Sequence, residues 1–287
     1  PPEKSDAGQL LYGGGTLNAR NLSAMRLVPG DGKSELIDPV DFSIRRTKDG
    51  DYVVTLDGFE HAFTPDQRDA AGAVGPSEAL DIAFTVYGST RRDFHENLDN
   101  GHSGGRHVII LGASRDHEEV EGSDPWLRTF ATFGNPTTDF SSFNDVTATY
   151  SGGWAWLEAF TSSFELDNFD WDEDRVKLWS DDMKFMANLS KGTISGRIQD
   201  FRNWDTGEDF DMTLTMPETS FGTEAFSGSF DVSGEILHQT TGSYDASFWG
   251  PDANTLAGTM SISGTKTSGG DTTPFVGVGH FEVDKDQ

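Results

Sequence analysis

Strict two-residue alternation in the second half of the chain constrains the fold more than any other feature. From Phe226 to Ile236 every even position is apolar or glycine and every odd position is polar. Leu256 to Gly264 repeats the scheme, as do Met212 to Met216, Tyr244 to Phe248 and Val146 to Tyr150. A period of two sends alternate side chains to opposite faces of a strand, one wet and one buried. Parallel strands buried on both faces read as continuous apolar runs, so the pattern predicts antiparallel pairing. A hairpin is expected at Ser190-Lys191-Gly192, with Phe185, Ala187 and Leu189 before it and Ile194, Gly196 and Ile198 after it. Phe275 to Val283 supplies the last strand.

Glycine recurs on the apolar face, at Gly196, Gly228, Gly234, Gly258, Gly264, Gly277 and Gly279. Glycine in a strand weakens it but permits tight curvature and close packing. The expectation is therefore an all-β chain whose second half is a small antiparallel up-and-down β-barrel of about eight strands with a filled interior.

The first half is β-rich but irregular. Tyr52 to Leu56, Asp81 to Tyr87, His107 to Leu111 and Arg128 to Phe133 are strand candidates, separated by polar stretches at Thr64 to Ser77 and Ser89 to Arg106. Long polar connections tend to carry function. The turn-rich run Gly134 to Asp139 marks the expected boundary, giving a β-rich ligand or partner domain over 1–138 and the barrel over 139–287.

Charge narrows the partners. The 48 Asp and Glu outnumber the 21 Lys and Arg, for a formal charge of −27. Such a surface repels phosphate backbones and anionic lipid, which argues against nucleic-acid and membrane-surface binding. The absence of cysteine excludes disulfides, zinc–thiolate sites and thiol catalysis. No apolar run approaches the roughly 20 residues of a membrane span, the longest being Val108 to Ala113. The chain opens Pro1-Pro2-Glu3-Lys4 without a basic or apolar leader, as expected of a processed chain whose targeting segment is absent.

The segment Ala246-Ser247-Phe248-Trp249-Gly250-Pro251-Asp252-Ala253-Asn254-Thr255-Leu256-Ala257-Gly258 resembles the strand–Gly-Pro-turn–strand signature of transferrin-binding-protein-like surface lipoproteins, the neisserial type B lobe. Pro251 suits the first position of a short helical turn, with Gly258 entering the next strand. Thr147 to Gly152 resembles that barrel's opening strand and Lys191 to Gly196 a middle one. The resemblance covers Val146 to Val283 and implies a handle domain ahead of the barrel. It also implies an N-terminal lipid anchor, an implication of the resemblance alone, since the acylated cysteine of that family is not among these residues. By the same resemblance the protein is an outer-membrane-anchored, cell-surface or periplasm-facing lipoprotein of a Gram-negative bacterium. It would capture haem, an iron-bearing protein or another solute for an outer-membrane transporter.

Four of the seven histidines, His95, His102, His107 and His117, fall in one stretch, flanked by Arg91, Arg92 and Arg106. Imidazole suits a transition metal or haem iron, and guanidinium suits propionate. These residues are the candidate ligand-binding set, with haem as a possible ligand and no cofactor required. The spacings match no zinc motif, so a polar loop that merely contains histidine is the competing reading. His238 and His280 read as ordinary strand-end or strand-face residues.

Asp170-Trp171-Asp172-Glu173-Asp174 opens like a calcium loop, but Arg175 occupies the position of the turn glycine, and a solvated acidic loop is the better reading. Asp205-Thr206-Gly207 matches an aspartic-protease tripeptide without its required second copy and reads as a hairpin turn. No nucleophile elbow, zincin, phosphate-loop or dinucleotide motif is present. The chain therefore reads as a binding protein and not an enzyme. The alternative is a secreted carbohydrate-active β-protein, lectin or glycoside hydrolase, with Trp154 and Trp156 stacking on sugar; a pair of strand aromatics facing one side is the plainer reading of those two.

Overall fold

The computed structural model describes residues 15–28, 33–38, 40–48, 52–63, 82–87, 108–115, 126–161, 175–223, 225–235, 237–268 and 271–286. They form strands and connecting turns, with no helix among the described residues. Numbered in chain order, the strands fall into three sheets. A four-stranded sheet has the order β1 (Thr16–Asn18), β4 (Phe42–Arg46), β5 (Tyr52–Leu56), β6 (Phe59–Phe63). A five-stranded sheet has the order β3 (Lys33–Ile37), β2 (Asn21–Val28), β9 (Trp126–Gly134), β8 (Val108–Arg115), β7 (Ile82–Tyr87).

The third sheet closes on itself. Around it run β10 (Thr147–Thr161), β12 (Asp182–Asn188), β13 (Thr193–Gln199), β16 (Thr213–Ser220), β17 (Phe226–Ser233), β18 (Leu237–Trp249), β19 (Thr255–Ser268) and β20 (Asp271–Lys285). Every pairing is antiparallel, and β10 meets both β12 and β20 to complete the circle. This is the all-β, eight-stranded up-and-down barrel that the alternation predicts. Inward-facing Phe185, Phe230, Phe248, Met260, Ile262 and Phe281 are all buried. Two inward glycines sit under aromatic rings: a Cβ on Gly196 would run into Phe185, and one on Gly228 into Tyr244. Each glycine thus makes room for the ring opposite it in the register. On the free wall the outward positions include Lys184, Arg197, Thr215, Ser227 and Asp231, so the barrel is apolar inside and polar outside, the inverse of a membrane-spanning barrel.

One irregularity shapes the edge of the barrel at β10. Gly152 and Gly153 have φ of 70° and 86° and form a bulge in β10 against β20. At Gly153 any Cβ would collide with the Glu282 carbonyl, so glycine is required there. Before the bulge, Ala148 and Tyr150 point inward; after it, Ala155, Leu157 and Ala159 do. The bulge switches the inward parity from even to odd. Past this point β10 leaves β12 and pairs instead with β11 (Arg175–Ser180), which carries β14 (Phe201–Asn203) and β15 (Asp209–Phe210) as a flap beyond the barrel.

The five-stranded sheet is the middle layer. One face packs on the four-stranded sheet through Ile109, Leu111, Ala131 and Phe133 against Phe42, Ile44, Val54 and Leu56. The other face packs on the barrel wall, with Met25 and Phe130 against Trp156, Phe160, Val276 and Val278, and Val108 and Ile110 against Trp249 and Ala257. Burial on both faces explains why β8 reads as a continuous apolar run. The Gly-Pro turn at 250–253 joins β18 to β19, which begins at Thr255 and not at Gly258.

Candidate functional site

The bulge turns Trp154 and Trp156 onto the outside of the barrel. Antiparallel pairing then sets Trp179 of β11 directly opposite Trp156, and Arg202 of β14 opposite Trp179. Trp204 follows β14, its amide donating to the Lys177 carbonyl at 2.8 Å. Four of the chain's seven tryptophans therefore meet on one ledge. Trp154 and Trp179 are stacked, with ring centroids 4.8 Å apart and planes 12° from parallel. Trp204 stands edge-on to Trp154, Trp156 and Trp179 at 6.1, 5.3 and 6.3 Å. The Arg202 guanidinium lies 5.4 Å from the Trp179 ring centre. Trp156 is buried, whereas Trp204 is 51% exposed.

The turn that presents Trp204 is braced. Asn203 Oδ1 accepts from the amides of Asp205 and Thr206 at 2.9 and 3.1 Å. The Gly207 amide donates to the Asn203 carbonyl at 2.8 Å, with Gly207 at φ 72°. Lys177 pairs with Asp205 at 3.3 Å and Arg202 with Asp209 at 3.7 Å. Asp205-Thr206-Gly207 is thus a hairpin turn, as the sequence indicates.

Beneath the ledge lies a buried charge cluster. The Arg128 guanidinium of β9 donates through Nε and Nη2 to the two oxygens of Glu158 on β10, at 2.8 and 2.6 Å. Trp156 Nε1 donates to the same carboxylate at 3.0 Å, and Arg175 lies 3.5 Å away. Burial pushes the Glu158 carboxyl up, but Arg128, Arg175 and the hydrogen bonds outweigh it and hold the group below the usual carboxylate range. His280 of β20 is fully buried nearby, its ring 5.5 Å from Phe130. Burial pulls its imidazole down to about 3, with Glu158 opposing and Arg128 assisting. It is therefore a neutral interior residue, where the sequence reading has an ordinary strand-end or strand-face histidine.

A second polar link joins the same layers. Asn21 of β2 donates through Nδ2 to Asp245 Oδ1 at 3.0 Å and to Ser247 Oγ at 3.3 Å, and accepts from Thr132 Oγ1 at 2.7 Å. Burial raises the Asp245 carboxyl, against the Asn21 hydrogen bond.

Arg91, Arg92, His95, His102, Arg106 and His107 lie outside the described residues, as do His117 and the acidic run 170–174. Among the described residues, no group of three or more His, Asp or Glu is arranged to hold a metal ion. Trp154 and Trp156 do share one strand face. Trp179 and Trp204 escape the sequence reading, because only the pairing of β11 and β14 beside β10 brings them there.

No family model and no curated protein matches this sequence. Among solved structures, one similar chain is a double mutant of the vaccine antigen transferrin-binding protein B from Haemophilus parasuis, 12% identical with a TM-score of 0.37. The match covers 92% of this chain and 45% of that one, so this chain spans less than half of its length. A likeness that loose carries no inference about ligand or partner; the barrel stands on its own strand register.

Proposed function

We propose that this chain is a non-enzymatic ligand-capture protein whose recognition surface lies outside the barrel. The observation that carries the reading is the ledge: an indole more than half exposed, fixed on a braced turn and backed by three further tryptophans. Rigid tryptophans with a wet edge are what binding surfaces use for contact area at low entropic cost. The side chains filling the barrel make it a scaffold. An extracytoplasmic, lipid-anchored role in delivering haem or an iron-bearing ligand to an outer-membrane transporter is the finer proposal, and it rests on the sequence resemblance. A carbohydrate-active protein is the second reading, favoured by the same aromatic surface.

The test compares wild type with Trp204→Ala, each purified from its native host, by quantitative mass spectrometry. A species retained by wild type and lost from the variant supports the reading. Turnover by wild type on a panel of glycoside substrates would overturn it.

A further inference from the structure

We infer that the tryptophan ledge receives a cationic side chain, arginine or lysine, from a basic segment of a protein partner. The inference rests on the ledge being the binding surface and adds the chemistry of what binds there.

Three observations converge. Trp204 is offered to solvent on a turn that backbone and side-chain hydrogen bonds already hold, so little ordering remains to be done on binding. The indole stack already accepts a guanidinium in this geometry, since Arg202 covers Trp179. The charge around it is also of the right sign. Asp200, Asp205, Glu208 and Asp209 are all exposed on the same flap, against Arg202 and Lys177, within a chain of formal charge −27. Such a field draws cations in and repels anions.

A neutral sugar fits less well. It needs uncommitted polar groups beside the indole to read its hydroxyls. Here the neutral groups are engaged, Asn203 Oδ1 by two turn amides and the Thr206 hydroxyl by Glu208, so what faces solvent beside the indole is mainly carboxylate, which suits a cation. A carboxylate or phosphate ligand meets the exposed acids instead.

The probe is an octa-arginine peptide titrated into the full chain, followed by tryptophan fluorescence and calorimetry. Saturable quenching is expected, weakening as NaCl rises from about 0.05 to about 0.3 M. Trp204→Ala should lower affinity by about tenfold or more, the size of a lost aromatic anchor, while the variant keeps the far-ultraviolet circular-dichroism spectrum of the folded chain. A Glu208→Gln/Asp209→Asn double variant should also weaken it, while Asp231→Asn on the far barrel wall should not. Equal binding by wild type and Trp204→Ala would mean general adhesion to an acidic surface and would overturn the inference. Response to chitohexaose but not to octa-arginine would overturn it too, while leaving the ledge as a binding surface. If neither probe binds, the cationic reading falls, and the comparison by native purification decides separately whether the ledge binds anything.

Discussion

The guanidinium of Arg128 grips both carboxylate oxygens of Glu158 across the junction between the five-stranded sheet and the barrel, with both side chains almost wholly out of water. Two charges this deeply buried are expensive to desolvate, and each depends on the other. Glu158→Ala removes the carboxylate that Arg128 grips, and Arg128→Ala leaves Glu158 without its bidentate partner, beside Trp156 Nε1 at 3.0 Å and Arg175 at 3.5 Å. Each single change should cost about 3–5 kcal/mol in urea unfolding, and Arg128→Met with Glu158→Leu should recover much of it. A loss below about 1 kcal/mol in both single variants, the range of exposed pairs, would show that water reaches the pair.

The same junction makes stability acid-sensitive. His280 has a folded pKa of about 3 against an ordinary 6.5, so between those values the unfolded chain binds the proton and the folded one does not. Its contribution is complete above pH 6.5 and is lost as pH falls toward 3, by about 1.4 kcal/mol per pH unit. Glu158, held low by its arginines, acts in the same direction below about 4.5. Denaturation curves across pH should show stability falling from near 6.5, and His280→Phe should flatten the part above 4.5. Identical slopes in both proteins would assign the effect to other groups.

How much of this was legible varies with the physics of each segment. Strands with one wet and one dry face announce themselves, so β16 to β19 and the hairpin of β12 and β13 follow from alternation, whereas β20 is buried on both faces from Phe275 to Val283 and carries no such signal. Tyr52 to Leu56 matches β5 residue for residue. The outward turn of Trp154, Trp156 and Glu158 was hidden, because Gly152-Gly153 switches parity inside what reads as one strand. His280 shares its face of β20 with Val276, Val278 and Glu282, and the sheet laid over that face buries it. Strands of two or three residues such as β14 and β15 carry too few positions for any period to show. The ledge they complete is a product of tertiary pairing.

Phe230 tests whether the barrel interior is packed to the standard of a core. It is 3% exposed, 4.9 Å from the Tyr244 ring, and shares its face with Met260 and Ile262. Phe230→Ala should destabilise by about 3–5 kcal/mol, the transfer loss plus the cavity left behind. Chemical denaturation measures it. A cost below about 1 kcal/mol would mean that neighbours collapse into the gap or that a void already stood beside the ring.

The histidine–arginine stretch makes its own prediction. If His95, His102 or His107 ligates haem iron, with Arg91, Arg92 and Arg106 near the propionates, haemin added to the full chain gives a saturable Soret shift. One of His95→Ala, His102→Ala or His107→Ala should abolish the shift. The same spectrum from wild type and the triple variant would remove haem ligation by these residues and leave the ledge as the chain's proposed recognition element.

The junction also predicts how the two halves behave when the chain between them is cut. Met25, Phe130, Val108 and Ile110 cover Trp156, Phe160, Val276, Val278, Trp249 and Ala257 on the barrel wall. Asn21 reaches Asp245 and Ser247, Ser23 Oγ donates to the Gly279 carbonyl at 3.3 Å, and Arg128 holds Glu158. Apolar contact over such a face, crossed by these hydrogen bonds and an ion pair, resembles a core more than a transient interface. Ser141 and Ser142 are exposed in the connection between β9 and β10, so a specific protease site inserted between them is cleavable in the folded protein. After cleavage the two pieces should still elute together from a sizing column and separate only in denaturant. In Glu158→Ala they should part at a lower denaturant concentration. Spontaneous separation into two soluble pieces, with the barrel piece melting at the temperature of the intact protein, would show that the halves fold independently and that the junction adds nothing to either.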